Sequence, residues 1–60
     1  MMVVQVQNRF GDIVGVMTQE TALSIYQFLD ESRVRQSLET NRRAIGYAKD
    51  GCAYHIVVCG

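Results

Sequence analysis

Apolar and polar residues alternate from Met2 to Arg9, with Val4 and Val6 on one side of the run and Gln5 and Gln7 on the other. A period of two is the pattern of a half-buried strand. Gly11-Asp12 follows, and glycine at the first loop position predicts a two-residue type II′ hairpin turn. That turn sets Phe10 against Ile13, Asn8 against Gly15 and Val6 against Met17. One face of the predicted hairpin then carries Val4, Val6, Phe10, Ile13 and Met17. The other carries Gln5, Gln7, Arg9, Val14, Val16 and Thr18.

The period changes after Thr18. Thr18 fits an N-cap, and Glu20 lies in the first turn, where the helix dipole favours a carboxylate. Ala22, Ile25, Tyr26 and Leu29 recur at helical spacing, flanked by Leu23 and Phe28. The resulting apolar arc, about 220° wide at ~100° per residue, is broader than one small sheet covers. This predicts a further contact through Leu23 and Phe28. No glycine or proline lies between Val16 and Ile45. The helix can therefore run on through Val34 and Leu38, or bend near residues 30–33 with Asp30 or Ser32 capping a second, shorter helix.

Arg42–Ala48 and Cys52–Cys59 read as two strands around Asp50-Gly51, a strong hairpin signal. A two-residue loop pairs Ala48 with Ala53, Tyr47 with Tyr54, Gly46 with His55 and Ile45 with Ile56. In that register Ile45, Tyr47, Tyr54, Ile56 and Val58 form a core face. Ala44, Gly46, Ala48, Ala53, His55, Val57 and Cys59 form a smooth, largely uncharged second face.

The expected fold is therefore α+β: a β-hairpin–helix–β-hairpin (ββαββ) chain spanning residues 1–60 as a single small domain. Its four-stranded, mainly antiparallel sheet carries one bent helix or two short helices on one face. A β-grasp arrangement, with the first and last strands central and parallel, is one topology that fits the order.

Length changes the picture more than composition does. A chain of 60 residues buries only about 60% of its unfolded surface, so its own core is marginal and needs a staple or a partner. Cys52 and Cys59 offer no staple. Seven residues of strand separate them by roughly 23 Å, against the ~7 Å that a disulfide spans. Unpaired cysteines of this kind suit a reducing, cytoplasmic setting. One histidine and two isolated cysteines do not close a metal site, and no cofactor is implied. No apolar run nears the ~20 residues of a membrane span, and the N-terminus has no basic-then-apolar signal segment. A partner is the remaining remedy.

Candidate chemistry is sparse. His55 and Cys59 share a face but stand about 13 Å apart along a strand, too far for a nucleophile and its base. Asp30 and Glu31 are adjacent on a helix and diverge. The glycines are scattered and form no phosphate loop. These readings point away from an enzyme. Formal net charge is zero, yet Arg33, Arg35, Arg42, Arg43 and Lys49 oppose only Glu39 between residues 33 and 49, while the first half is acidic. A basic strip beside Tyr47 and Tyr54 would suit a single-stranded nucleic acid or an acidic partner.

The expectation best supported by the pattern is a non-enzymatic protein-interaction module, a homodimeric regulator or inhibitor of a larger protein. Chains of this size and make-up are common among phage and mobile-element accessory proteins. The expected interface comprises Val14, Val16, Leu23, Phe28, Ala44, Ala48, Ala53, His55 and Val57, and the acidic and basic halves could pair across a two-fold axis. The alternative is a small nucleic-acid binder using Arg33, Arg35, Arg42, Arg43 and Lys49.

Overall fold

The computed structural model describes residues 1–59. The elements are β1 (Val3–Asn8), β2 (Ile13–Thr18), α1 (Gln19–Tyr26), α2 (Glu31–Asn41), β3 (Arg43–Tyr47) and β4 (Ala53–Cys59). The four strands form one sheet in the order β2-β1-β4-β3, and every neighbouring pair is antiparallel. The α+β class and the ββαββ order hold, with two short helices between the hairpins.

The β-grasp alternative does not hold. The first and last strands are central, as that arrangement requires, but β1 and β4 run antiparallel. The reason lies in the helices. Thr18 caps α1 by accepting the Thr21 N–H through its Oγ1 at 3.2 Å. The helix ends when Gln27 turns left-handed (φ 51°) and donates its N–H to Leu23 O. The crossing from α1 to α2 lies at the far end of the sheet, where Leu29 N–H meets Tyr47 O at 2.9 Å and Lys49 N–H meets Tyr26 O at 3.3 Å. Then α2 returns the chain to its starting end, stopping at Arg42 (φ 61°), whose carbonyl accepts from Val58 N–H. A single crossing helix would deliver the chain to the opposite end and make β1 and β4 parallel. An out-and-back pair makes them antiparallel. The break falls at 27–30, slightly earlier than the expected bend, and Asp30 stands at the start of α2 without a side-chain cap bond.

Both hairpins close differently from the two-residue expectation, and in the same way. Asn8 donates to Asp12 O while Gly11 donates to Asn8 O; Ala48 donates to Cys52 O while Gly51 donates to Ala48 O. Each loop thus holds three residues and ends in a left-handed glycine, Gly11 at φ 86° and Gly51 at φ 88°, the geometry that completes a three-residue turn. Asn8 Oδ1 fixes the first loop further by accepting from the Phe10 and Asp12 amides.

The consequences differ. In the first hairpin Val4 pairs with Met17 and Val6 with Gly15, two positions from the expected register, so both strands keep their expected faces in that stretch. A bulge between Val6 and Gln7 then sets Ile13 opposite Gln7. Phe10 and Ile13, expected on the same face as Val4 and Val6, are exposed. In the second hairpin Ile45 pairs with His55 and Gly46 with Tyr54, a shift of one. A one-residue slip sends a strand's side chains to the opposite face. Here β4 keeps its expected orientation and β3 is inverted.

The core follows from that inversion. Val4, Val6, Ala22, Leu23, Phe28, Val34, Leu38, Ala44, Ala48 and Ile56 form one buried cluster, edged by Met2, Met17, Tyr26, Tyr54 and Val58. Gly46 explains why β3 turns its small residues inward. A Cβ at that position would sit 2.6 Å from Cδ1 of Phe28, so the ring of Phe28 lies where only a glycine leaves room. Burial of each large apolar side chain in the cluster contributes about 1.5–3 kcal/mol.

Candidate protein-interaction surface

Every helix residue of the core packs on one side of the sheet. The other side has no covering layer among the described residues. Strand alternation and the observed registers place Val16, Gln5, Val57 and Arg43 in one row across it, and Ile13, Gln7, His55 and Ile45 in the next. Tyr47 opposite Ala53 extends the surface toward the second hairpin loop, and Val3 beside Cys59 extends it the other way. Ile13, Val16, Ile45 and Tyr47 are each 59–60% exposed and Val57 is 38% exposed. Large apolar side chains on a helix-free sheet face constitute an unusual surface for a chain of this size.

The residues expected at an interface separate into two groups. Val14, Val16, His55 and Val57 are exposed, and Ala53 is half-buried. Leu23, Phe28, Ala44 and Ala48 are buried within the chain and form no surface. Leu23 and Phe28 were expected outside because one continuous helix gave too wide an apolar arc. The break at Gln27 removes that excess by directing Phe28 into the core and Leu29 to solvent, where it is 74% exposed. Ala44 and Ala48 are inside because β3 is inverted. The same inversion exposes Ile45 and Tyr47, which the pattern had assigned to the core. Gly46 carried the signal: an isolated glycine within a strand marks a close approach by another group, and the face it occupies must then be the inner one.

The charges do not segregate in space as they do along the chain. Arg35, from the basic half, holds Glu20, from the acidic half, through two hydrogen bonds of 2.7 and 2.9 Å, and also meets Glu31 at 3.5 Å. The hydrogen bond to Arg35 holds the Glu20 carboxyl below its ordinary value, and the same bond raises Arg35. This pair removes one member of the expected basic strip and ties the two halves together within one chain. Arg43 begins β3 and Lys49 lies in the loop beyond its other end, with the strand's length of roughly 13 Å or more at ~3.3 Å per residue between them. Arg33 and Arg43 line an open groove of about 1120 Å³ beside β3, with Ser37, Thr40, Asn41 and His55 and no carboxylate.

The aromatic side chains offer no platform beside those cations. Tyr26 stacks on Phe28 at 5.7 Å and meets Tyr54 at 4.6 Å between ring centroids. All three pack with the core, and burial pushes the Tyr54 phenol upward. Of the tyrosines only Tyr47 faces outward from the sheet, and the exposed Phe10, in the first hairpin loop, lies 4.9 Å from the Arg9 guanidinium. Cys52 and Cys59 are free thiols. Cys59 neighbours Val3 on β1. His55 and Cys59 remain four residues apart on β4, and no three metal-ligating side chains converge among the described residues. No helix there is long and apolar enough to cross a membrane.

No protein family, curated protein or solved structure matches the chain.

Proposed function

We propose that this protein is an interaction module that binds another protein through the helix-free face of its sheet, acting as a homodimeric regulator or inhibitor of that larger protein. One observation carries the reading: Ile13, Val16, Ile45, Tyr47 and Val57 lie on the side of the sheet that no helix covers. The principal dimensions of the chain are 26 × 23 × 18 Å, so its broad side spans about 600 Å², three-quarters of the roughly 800 Å² that each partner contributes to a standard interface. Gln5, Gln7 and His55 interrupt the apolar residues and supply hydrogen-bonding groups that fix orientation. Arg43 is the only charged residue in the rows across this face. The partner surface that fits it is apolar with amide or hydroxyl groups, and carries an acid at one margin.

Affinity capture from cell extract tests the reading. The native chain and the Arg33→Ala/Arg42→Ala variant, whose substitutions lie outside the rows of this face, should retain the same protein, and Ile45→Asp should lose it. Retention by Ile45→Asp equal to the native level would contradict the reading.

Nucleic acid is the second reading, favoured by the groove in which Arg33, Arg43 and His55 meet without a carboxylate. Fluorescence anisotropy with mixed-sequence oligonucleotides distinguishes it. Salt-sensitive micromolar binding lost in Arg33→Ala/Arg43→Ala would support this reading, and no binding at low salt would remove it.

A further inference from the structure

The two edges of the sheet are unequal. On β3, backbone groups of the even-numbered residues face β4, as the Ala48–Cys52 and Arg42–Val58 hydrogen bonds at either end show. The outward groups belong to Arg43, Ile45 and Tyr47. Two of their carbonyls are occupied: Tyr47 O accepts from Leu29 N–H at 2.9 Å, and Arg43 O accepts from Ser37 Oγ at 2.8 Å. The loop before α2 and the body of α2 thus occupy the two ends of that edge and leave only Ile45 between them.

Nothing comparable covers β2. Its odd-numbered residues Gly15 and Met17 face β1, a pattern continued by the 2.8 Å bond from Gln19 N–H to Met2 O. The outward groups fall on Val16 and Thr18, Val14 being the extra residue of the bulge, and no backbone or side-chain partner reaches the Val16 amide or carbonyl among the described residues. Sheet edges exposed to solvent are ordinarily blunted by lysine, proline or an inward charge. Strand β2 (Ile13, Val14, Gly15, Val16, Met17, Thr18) has none of these. Its bulge limits the regular stretch to the part around Val16.

We propose that the β2 edge is where a second copy of this chain pairs, antiparallel about a two-fold axis at Val16. This inference rests on the homodimeric part of the proposed function and specifies its geometry. Val16 then lies opposite Val16 of the second copy, and Thr18 lies opposite Val14. An uncharged strand meets itself without repulsion, and its outward N–H and C=O groups are self-complementary in the antiparallel sense. The β3 edge, obstructed at both ends by Leu29 and Ser37, limits the stoichiometry. Head-to-tail pairing of β2 on β3 would propagate into a filament, whereas pairing restricted to β2 on β2 closes after two copies. The two four-stranded sheets become one continuous sheet, and their helix-free faces join into a single surface twice as broad.

Proline distinguishes this geometry because it removes only a backbone donor where that donor points away from the chain's own sheet. Val16→Pro should remain folded by circular dichroism and raise the dimer dissociation constant at least tenfold in sedimentation equilibrium. Ile45→Pro, which removes an outward donor at the obstructed edge, should leave that constant within about twofold. A native chain that stays monomeric to millimolar concentration overturns the proposal, as does a Val16→Pro variant that dimerises like the native chain. Hydrogen exchange on the native protein gives a test independent of the variants. The Val16 amide should exchange more slowly as protein concentration rises, and concentration-independent exchange contradicts the pairing. Ile45→Asp keeps the β2 edge intact, so it should dimerise while losing the captured protein. The dimer and the face reading therefore fail separately.

Discussion

The two sides of the sheet draw on the same strands and differ in what covers them. On the side under the helices, β3 and the residue after it present Ala44, Gly46 and Ala48, all buried; on the open side β3 presents Arg43, Ile45 and Tyr47, all exposed. The larger residues are on the outside. Covering a face does not simply require large apolar side chains on it. Phe28, Val34 and Leu38 supply the volume from the helical layer, and the strand beneath must be thin for that layer to pack closely. Ile45 and Tyr47 are then free to serve a contact beyond the chain. A folding role and the proposed binding role fall on opposite faces of one strand.

Substitutions on the two sides should therefore separate stability from binding. The largest expected effect is on the covered side. Leu38, 1% exposed, lies in the centre of the core, and Leu38→Ala should cost about 2–5 kcal/mol in urea unfolding. Ile45→Ala should stay within about 0.5 kcal/mol of the native chain while weakening capture of the partner. Equal losses at the two positions would erase the contrast between the faces.

A sharper version uses the thinness of β3. Gly46→Ala places a methyl group 2.6 Å from the Phe28 ring and should cost about 1–3 kcal/mol, as overpacked cores do. Shortening the opposing side chain in Gly46→Ala/Phe28→Leu should recover part of the loss relative to the sum of the single variants. Strict additivity would mean that the two residues do not touch.

The smallest effect should come from the helical layer's solvent side, where Arg35 holds Glu20. Because the folded carboxyl is held below its ordinary value, its contribution is present above the unfolded pKa and is lost as pH falls through the lowered folded one. Glu20→Gln should slightly flatten the acid limb of the stability profile and leave neutral-pH binding unchanged. A change in partner capture at pH 7 would place this pair at the interface instead.

The two hairpins show how far residue patterns carry. Alternation around Val4 and Val6 located the first strand, Thr18 marked the helix start, and Asp50-Gly51 located the last turn. Both loops contain one residue more than the dipeptide signal implies, because Gly11 and Gly51 each complete a three-residue turn from the left-handed position. For the first hairpin the resulting shift was two, so Val16 stayed outside as expected. For the second it was one, so Ala44 and Ala48 moved into the core and Ile45 and Tyr47 out of it. Local turn chemistry left both registers open, and the choice was made by Phe28, which lies eighteen positions before Gly46 in the chain. The strand order was undetermined for a similar reason: it depended on whether the middle segment crossed the sheet once or twice, and that was settled by a left-handed Gln27 that no residue pattern distinguishes.

The orientation of β3 underlies both the core and the proposed contact surface, and side-chain proton NMR of the isolated chain tests it most directly. Nuclear Overhauser contacts should connect the Phe28 ring to the Gly46 α-protons, and Ile45 and Tyr47 should show none to Val34 or Leu38. Contacts from Ile45 to Val34 or Leu38, with Gly46 distant from Phe28, would contradict the account, because they would return the large residues of β3 to the core and leave the open face without its apolar surface.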